Sequence, residues 1–77
     1  MLKRDELTNP NSCLSKAKDD ELVFVLLARD VAAPDTIRQW VANRLSKSKN
    51  KITDAQIVEA LLCADKMETY QREETKR

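Results

Sequence analysis

The sequence has no glycine and no histidine, and it has only two prolines, two cysteines and one each of phenylalanine, tryptophan and tyrosine in 77 residues. Tight β-hairpin turns usually require glycine, so its absence disfavours a meander or barrel of short strands. The absence of histidine removes the commonest general base and the commonest metal ligand. These gaps point towards helices and away from catalysis.

Catalytic and metal-binding constellations are also missing. There is no glycine-rich phosphate loop, no cluster with metal-ligand spacing, and no imidazole to activate the thiols of Cys13 and Cys63. The carboxylates of Asp19, Asp20 and Glu21 suit a helix N-terminus better than acid–base work. We therefore predict that the chain is not an enzyme and has no catalytic residue, metal or cofactor.

The two cysteines lie fifty positions apart in the sequence. A single disulfide between them stays open, but buried thiols in a reducing compartment are the favoured interpretation. The longest apolar run is too short to span a bilayer, and no signal-peptide pattern opens the chain. We expect a soluble, cytoplasmic protein, in the host cytoplasm if a phage encodes it.

What the chain does have is an unbroken apolar run at residues 22–27, preceded by three acids and followed by Arg29. The acids suit a helix N-terminus and the arginine suits its C-terminal end. The sequence Val-Phe-Val also suits a strand, but no other window predicts a strand to pair with it, and an intermolecular pair would leave exposed edges. We therefore predict a helix, and because the run has no polar face, a buried one.

Two further helices carry clearer patterns. One runs from Pro34 to about Ser46, where proline suits the first helical position and the apolar stripe consists of Ile37, Trp40, Val41 and Leu45. The other runs from Asp54 to about Arg72, and Thr53 and Gln56 at its start have the spacing of a capping box. Its apolar face is wider than one neighbouring helix could cover, and consists of Ile57, Val58, Ala60, Leu61, Leu62, Ala64 and Met67.

The predicted fold is all-α: a small three-helix protomer, assembled as a homo-oligomer that covers its apolar faces. Its parts are an irregular N-terminal segment at residues 1–12, a single helical domain at 13–72 and a charged C-terminal tail at 73–77. Ser12 caps a short helical turn, and Asn9 to Asn11 form a turn.

The basic stretch at residues 44–51 raises the possibility of a DNA-binding regulator, with Lys47, Lys49 and Lys51 on phosphates. The loop is longer than the usual turn between such helices. The following helix is acidic on its exposed side and would be repelled by phosphates, so this is the third choice.

The sequence has residues better suited to binding a small anionic ligand. Arg29 ends the apolar run, where a buried charge needs a partner, and Arg38 lies near Trp40 in one helix. A guanidinium beside an aromatic ring suits a phosphate and a base. The simpler alternative is a salt bridge for Arg29 and a core position for Trp40.

Part of the sequence resembles a set of short proteins from tailed phages and prophages. The resemblance covers roughly residues 9–67 and rests on Lys16-Ala17-x-Asp19-Asp20-Glu21-x-x-Phe24-Val25-Leu26, then Arg29-Asp30, Ala33-Pro34 and Trp40. Leu22 stands where this set would have proline, and the lysine-rich loop has no counterpart. The resemblance implies no chemistry of its own.

By analogy of class, a phage origin implies a small accessory protein that sequesters a nucleotide immune signal of the host. Lysines and arginines would bind phosphates, aromatic rings would stack on a base, and acids would accept ribose hydroxyls or base amines. The ligand-binding residues predicted on this basis are Lys16, Lys18, Asp20, Glu21, Phe24, Arg29, Asp30, Arg38 and Trp40. The alternative is a protein–protein adaptor or a small inhibitor of a host protein.

Overall fold

The computed structural model describes residues 2–75, and within them the fold is all-α, as predicted, without a β-strand. Four helices follow one another: α1 (Lys3–Thr8), α2 (Cys13–Lys16), α3 (Ala33–Ser46) and α4 (Ala55–Thr75). Among the described residues, no helix is both long and apolar enough to cross a membrane. Met1, Lys76 and Arg77, which belong to the predicted terminal segments, lie outside the described residues.

Helices α3 and α4 pack side by side as a hairpin and form the core. Val41, Ile57 and Ala60 are buried between them, with Ile37 and Leu45 of α3 and Leu61 of α4 packed around that cluster. The apolar spacing in the sequence predicted both helices, because each helix needs an apolar face to pack against the other.

The helix starts follow local chemistry. Pro34 lies in the first turn of α3, where its missing amide costs nothing. Before α4, the Asp54 carboxylate accepts hydrogen bonds from the Lys51 amide at 2.9 Å and the Asn50 side chain at 3.0 Å. Asp54, not Thr53, therefore organises the loop that leads into α4.

A Schellman motif ends α3. The Ser48 amide donates to the Leu45 carbonyl at 3.1 Å and the Lys49 amide donates to the Arg44 carbonyl at 3.0 Å. Ser48 has φ of 57°, the left-handed conformation that glycine usually supplies at this position. Because the chain has no glycine, serine takes that position at some cost in strain.

The N-terminal part is more ordered than the sequence suggested. Residues 3–8 form α1, so the prediction of an irregular segment over residues 1–12 is wrong there. The Ser12 hydroxyl accepts a hydrogen bond from the Ser15 amide at 3.1 Å and donates to the Glu6 carbonyl at 2.6 Å. The predicted cap at Ser12 is thus confirmed, and it also ties α2 to α1.

The predicted buried helix at residues 22–27 is wrong. These residues form neither a helix, a turn nor a bend, and the side chains of Leu22 and Phe24 are 99% and 83% exposed. β-Branched and aromatic side chains lose rotamer freedom in a helix, and so short a helix needs packing to persist. Most of the side chains in this stretch are exposed, so that packing is missing.

Other predictions also differ from the structure. Asp19 and Asp20 lie in a turn rather than at a helix start, and Arg29 is exposed rather than buried. Cys13 and Cys63 are both free thiols, but Cys13 is exposed and Cys63 only half-buried. At the other end of the chain, α4 continues to Thr75, so the expected tail at 73–77 begins within a helix.

Candidate functional site

The most unusual surface of the molecule is the exposed segment, defined here as residues 22–27. Besides Leu22 and Phe24, Val23, Val25 and Leu27 are largely exposed, and Leu26 is half-buried. Within the described residues, the peptide groups of residues 22–26 make no backbone hydrogen bond. The exposed segment therefore offers both apolar side chains and free backbone donors and acceptors.

A turn holds each end of the exposed segment. Before it, the Glu21 amide donates to the Lys18 carbonyl at 3.0 Å, and the Glu21 carboxylate accepts from the Lys18 amide at 3.0 Å. After it, the Asp30 amide donates to the Leu27 carbonyl at 2.9 Å. The stretch between the two turns is therefore six residues long.

Helix α4 anchors the second turn. The Gln71 side-chain amide donates to the carbonyls of Ala28 and Asp30 at 3.0 and 2.8 Å. This bidentate contact fixes the direction in which the exposed segment leaves the helical hairpin. The apolar row Ala60, Ala64 and Met67 continues to Gln71 at helical spacing, so the sequence places Gln71 on the face of α4 that these residues share.

A shallow open groove of about 840 Å³ lies beside this anchor. Its cationic and aromatic members are Arg29 from the turn and Tyr70 and Arg72 from the last turns of α4, with Glu68 and Glu74 also on its wall. The Arg72 guanidinium lies 3.4 Å from the Thr69 hydroxyl. The groove thus combines two guanidinium groups with one ring, and Tyr70 and Arg72 were not anticipated.

Arg38 serves the helical hairpin. Its guanidinium donates to the carboxylates of Asp65, at 2.9 Å, and Glu68, and lies 3.8 Å from that of Asp35. The hydrogen bonds to Glu68 and Asp65 raise the pKa of Arg38, and the bond from Arg38 lowers the pKa of Glu68. A phosphate would have to displace carboxylates that Arg38 already binds.

Trp40 lies at the edge of the apolar stripe of α3 and is 38% exposed. The Arg44 guanidinium sits over the ring, 5.6 Å from its centroid, and donates through Nε to the Asn50 side chain at 2.5 Å. One face of the ring is therefore engaged by a cation within the fold.

The other predicted ligand-binding residues are spread along the chain. Lys16 ends α2, and Lys18, Asp20 and Glu21 lie in the first turn. Asp30 accepts a hydrogen bond from the Ala32 amide at 2.9 Å. Of the nine predicted residues, Arg29 alone lines the groove within the described part of the chain.

The basic loop is held by the Asn50 and Asp54 contacts, with Lys47, Lys49 and Lys51 exposed. Cysteine, aspartate and glutamate form no group of three or more that could hold a metal ion within residues 2–75. Comparisons of the chain with protein-family models, with curated proteins and with solved structures gave no match.

Proposed function

We propose that the chain is a binding protein without catalytic activity, and that it acts by presenting the exposed segment to a protein strand. The single observation that supports this is the apolar run at residues 22–27, most of whose side chains are exposed and whose peptide groups at residues 22–26 make no backbone hydrogen bond within the described residues. This proposal follows the alternative of a protein–protein adaptor and assigns a binding surface to it.

Contact between water and such an apolar segment is unfavourable. Contiguous exposed apolar surface on a folded protein marks a binding site, because burying it against a partner is favourable. A partner strand would complete the hydrogen bonds of the free amides and carbonyls, and side-chain pockets would give specificity. The turns on both sides limit the entropy lost on pairing.

A displayed library of random short peptides tests the proposal. Binders to the wild-type protein should alternate apolar residues, and should slow hydrogen exchange of the amides at residues 22–27. Phe24→Asp should abolish their binding, whereas Ile52→Asp should not, because Ile52 is exposed in the loop before α4. Binders that protect another surface, or that tolerate Phe24→Asp, would refute the proposal.

A second candidate function has its own observation. Arg29, Tyr70 and Arg72 share the groove, and this set suits a nucleotide, with guanidinium groups for phosphate and a ring for the base. On this proposal the protein is a phage-type accessory protein that sequesters a nucleotide immune signal in the cytoplasm.

Native mass spectrometry with ATP and with a cyclic dinucleotide as probes tests this second candidate. Arg29→Ala and Arg72→Ala should each remove the bound mass while leaving the helix content unchanged. Arg4→Ala is the matched control, because Arg4 is an exposed arginine on α1. Equal binding by all three variants would exclude the groove as the site.

A further inference from the structure

We propose that the protein strand fitted by the exposed segment is the same segment of a second copy, paired antiparallel so that Phe24 lies opposite Phe24 of the other chain. This inference rests on the proposed function, since it names the partner of the surface proposed there. It also gives a physical form to the homo-oligomer expected from the sequence.

Self-complementary charge is the first argument. Asp19 precedes the exposed segment and Arg29 follows it, and neither is in an ion pair within the described residues. An antiparallel pair brings the acidic end of one copy to the basic end of the other. A parallel pair would place like charges side by side, which is unfavourable.

Symmetry then selects the register. In an antiparallel pair related by a two-fold axis, hydrogen-bonded and non-bonded positions alternate, so the axis must pass through one residue facing its own copy. With Phe24 on the axis, the ladder covers residues 22–26 and the turns at its two ends meet, so that Asp19 lies near Arg29 of the other copy and Lys18 lies near its Asp30. With Val25 on the axis, Asp20 would lie near Asp30 and Glu21 near Arg29. The first register brings together two opposite-charge pairs and no like-charge pair, whereas the second also brings two acids together.

Apolar pairing follows from the same register. On one face, Leu22 lies opposite Leu26 on either side of the Phe24 pair, and on the other face Val23 lies opposite Val25. Cross-strand pairs of this kind are the main source of stability in a two-stranded unit. The turns at 18–21 and 27–30 limit the ladder to about five residues per copy.

The size of the contact sets the expected affinity. Five apolar side chains and their backbone bury roughly 500 Å² per copy, near the lower limit for a specific interface. Two-stranded units of this length are also marginal on their own. We therefore expect a dimer that forms and dissociates as the protein concentration changes, rather than an obligate one.

Sedimentation velocity over a dilution series of the full chain, up to about 1 mM, is the first measurement. The wild type should shift from monomer to dimer. Asp19→Arg and Arg29→Asp alone should each weaken dimerisation by on the order of tenfold, because both symmetric charge pairs become repulsive. An equimolar mixture of the two variants should form heterodimers, because the charge at position 19 of each copy then meets an opposite charge at position 29 of the other.

Cross-linking tests the register. In a Cys13→Ser, Cys63→Ser background, Phe24→Cys should form a disulfide between copies under mild oxidation, since residue 24 faces itself. Ile52→Cys is the control outside the segment and should remain monomeric. Circular dichroism of each variant should match the wild type, because none of these substitutions touches the α3–α4 core.

Each outcome has a defined meaning. A dimer with both charge rescue and the residue 24 cross-link supports the proposal. A monomer at all concentrations, or a dimer insensitive to Arg29→Asp and without the cross-link, overturns it. If peptides still bind residues 22–27 in either of those cases, the proposed function stands and only the self-pairing fails. If no peptide binds there either, both fail.

Discussion

Arg38 of α3 and Asp65 of α4 are joined by a hydrogen bond of 2.9 Å between Nη2 and Oδ1, and the same guanidinium nitrogen also donates to Glu68. This contact lies along one side of the helical hairpin, whose core is small. Two carboxylates of α4 that share one guanidinium of α3 therefore link the helices beside that core.

The first prediction concerns pH. Arg38 lowers the pKa of Glu68 below its ordinary 4.5, and the Lys51 amide and Asn50 side chain lower that of Asp54 below 3.8. A lowered pKa in the folded state contributes stability above the ordinary pKa, which is lost as pH falls through the folded value. We expect Tm to be level down to about pH 5 and to fall below about pH 4.

Thermal unfolding of variants followed by circular dichroism checks this dependence. Glu68→Gln and Asp54→Asn together should lower Tm at neutral pH and make it less sensitive to acid. Glu59→Gln is the control, because Glu59 is an exposed carboxylate of α4 with no ion pair among the described residues. A wild-type fall in Tm that persists unchanged in the double variant would contradict the assignment.

The second prediction uses the Schellman motif. Ser48 has φ of 57°, so Ser48→Gly should relieve left-handed strain that exceeds the entropy glycine loses on folding. We expect a gain of about 0.5–1 kcal/mol in the free energy of unfolding. Ser46→Gly is the matched control within α3 and should lose about as much. Urea titrations measure the change in the free energy of unfolding of each variant. If both substitutions changed it in the same direction, the strain at Ser48 would be refuted.

The two long helices were predictable because their apolar spacing is realised as packing. Ile37, Val41 and Leu45 on α3 meet Ile57 and Ala60 on α4, as helical periodicity requires. Trp40 belongs to the same stripe in sequence, but it lies at the stripe's edge. Periodicity identifies a face, and only the position of the neighbouring helix decides how far that face is covered.

The exposed segment could not be placed from sequence for a physical reason. An apolar run shows that burial is favourable but not which part of the protein or of a partner buries it. Six residues are also too few for the apolar period to distinguish a helix from a strand. The groove was missed in part for a different reason. Arg29 was anticipated, but Tyr70 and Arg72 were not, because the sequence does not show that the turn at residues 27–30 lies beside the end of α4.

The third prediction concerns the anchor of the second turn. Gln71→Ala removes two hydrogen bonds to the carbonyls of Ala28 and Asp30, and we expect a loss of about 1–2 kcal/mol in the free energy of unfolding. Hydrogen exchange should quicken at residues 28–30 beyond this global effect, because the turn is released locally. Gln39→Ala is the control, since the Gln39 side chain bonds Asn43 on the exposed face of α3 and no other described residue. Exchange that is unchanged at 28–30 would mean that the turn holds itself.

The last prediction compares two isoleucines. Ile57 is fully buried between α3 and α4, whereas Ile52 is 59% exposed in the preceding loop. Ile57→Ala leaves a cavity and should cost about 2–5 kcal/mol, while Ile52→Ala should change stability by about 0.5 kcal/mol or less. Because a domain of this size has only about 4–12 kcal/mol in total, Ile57→Ala should be substantially unfolded at modest urea concentrations. Urea titration followed by helical circular dichroism measures both midpoints, and similar midpoints would mean that α3 and α4 are held by something other than this core.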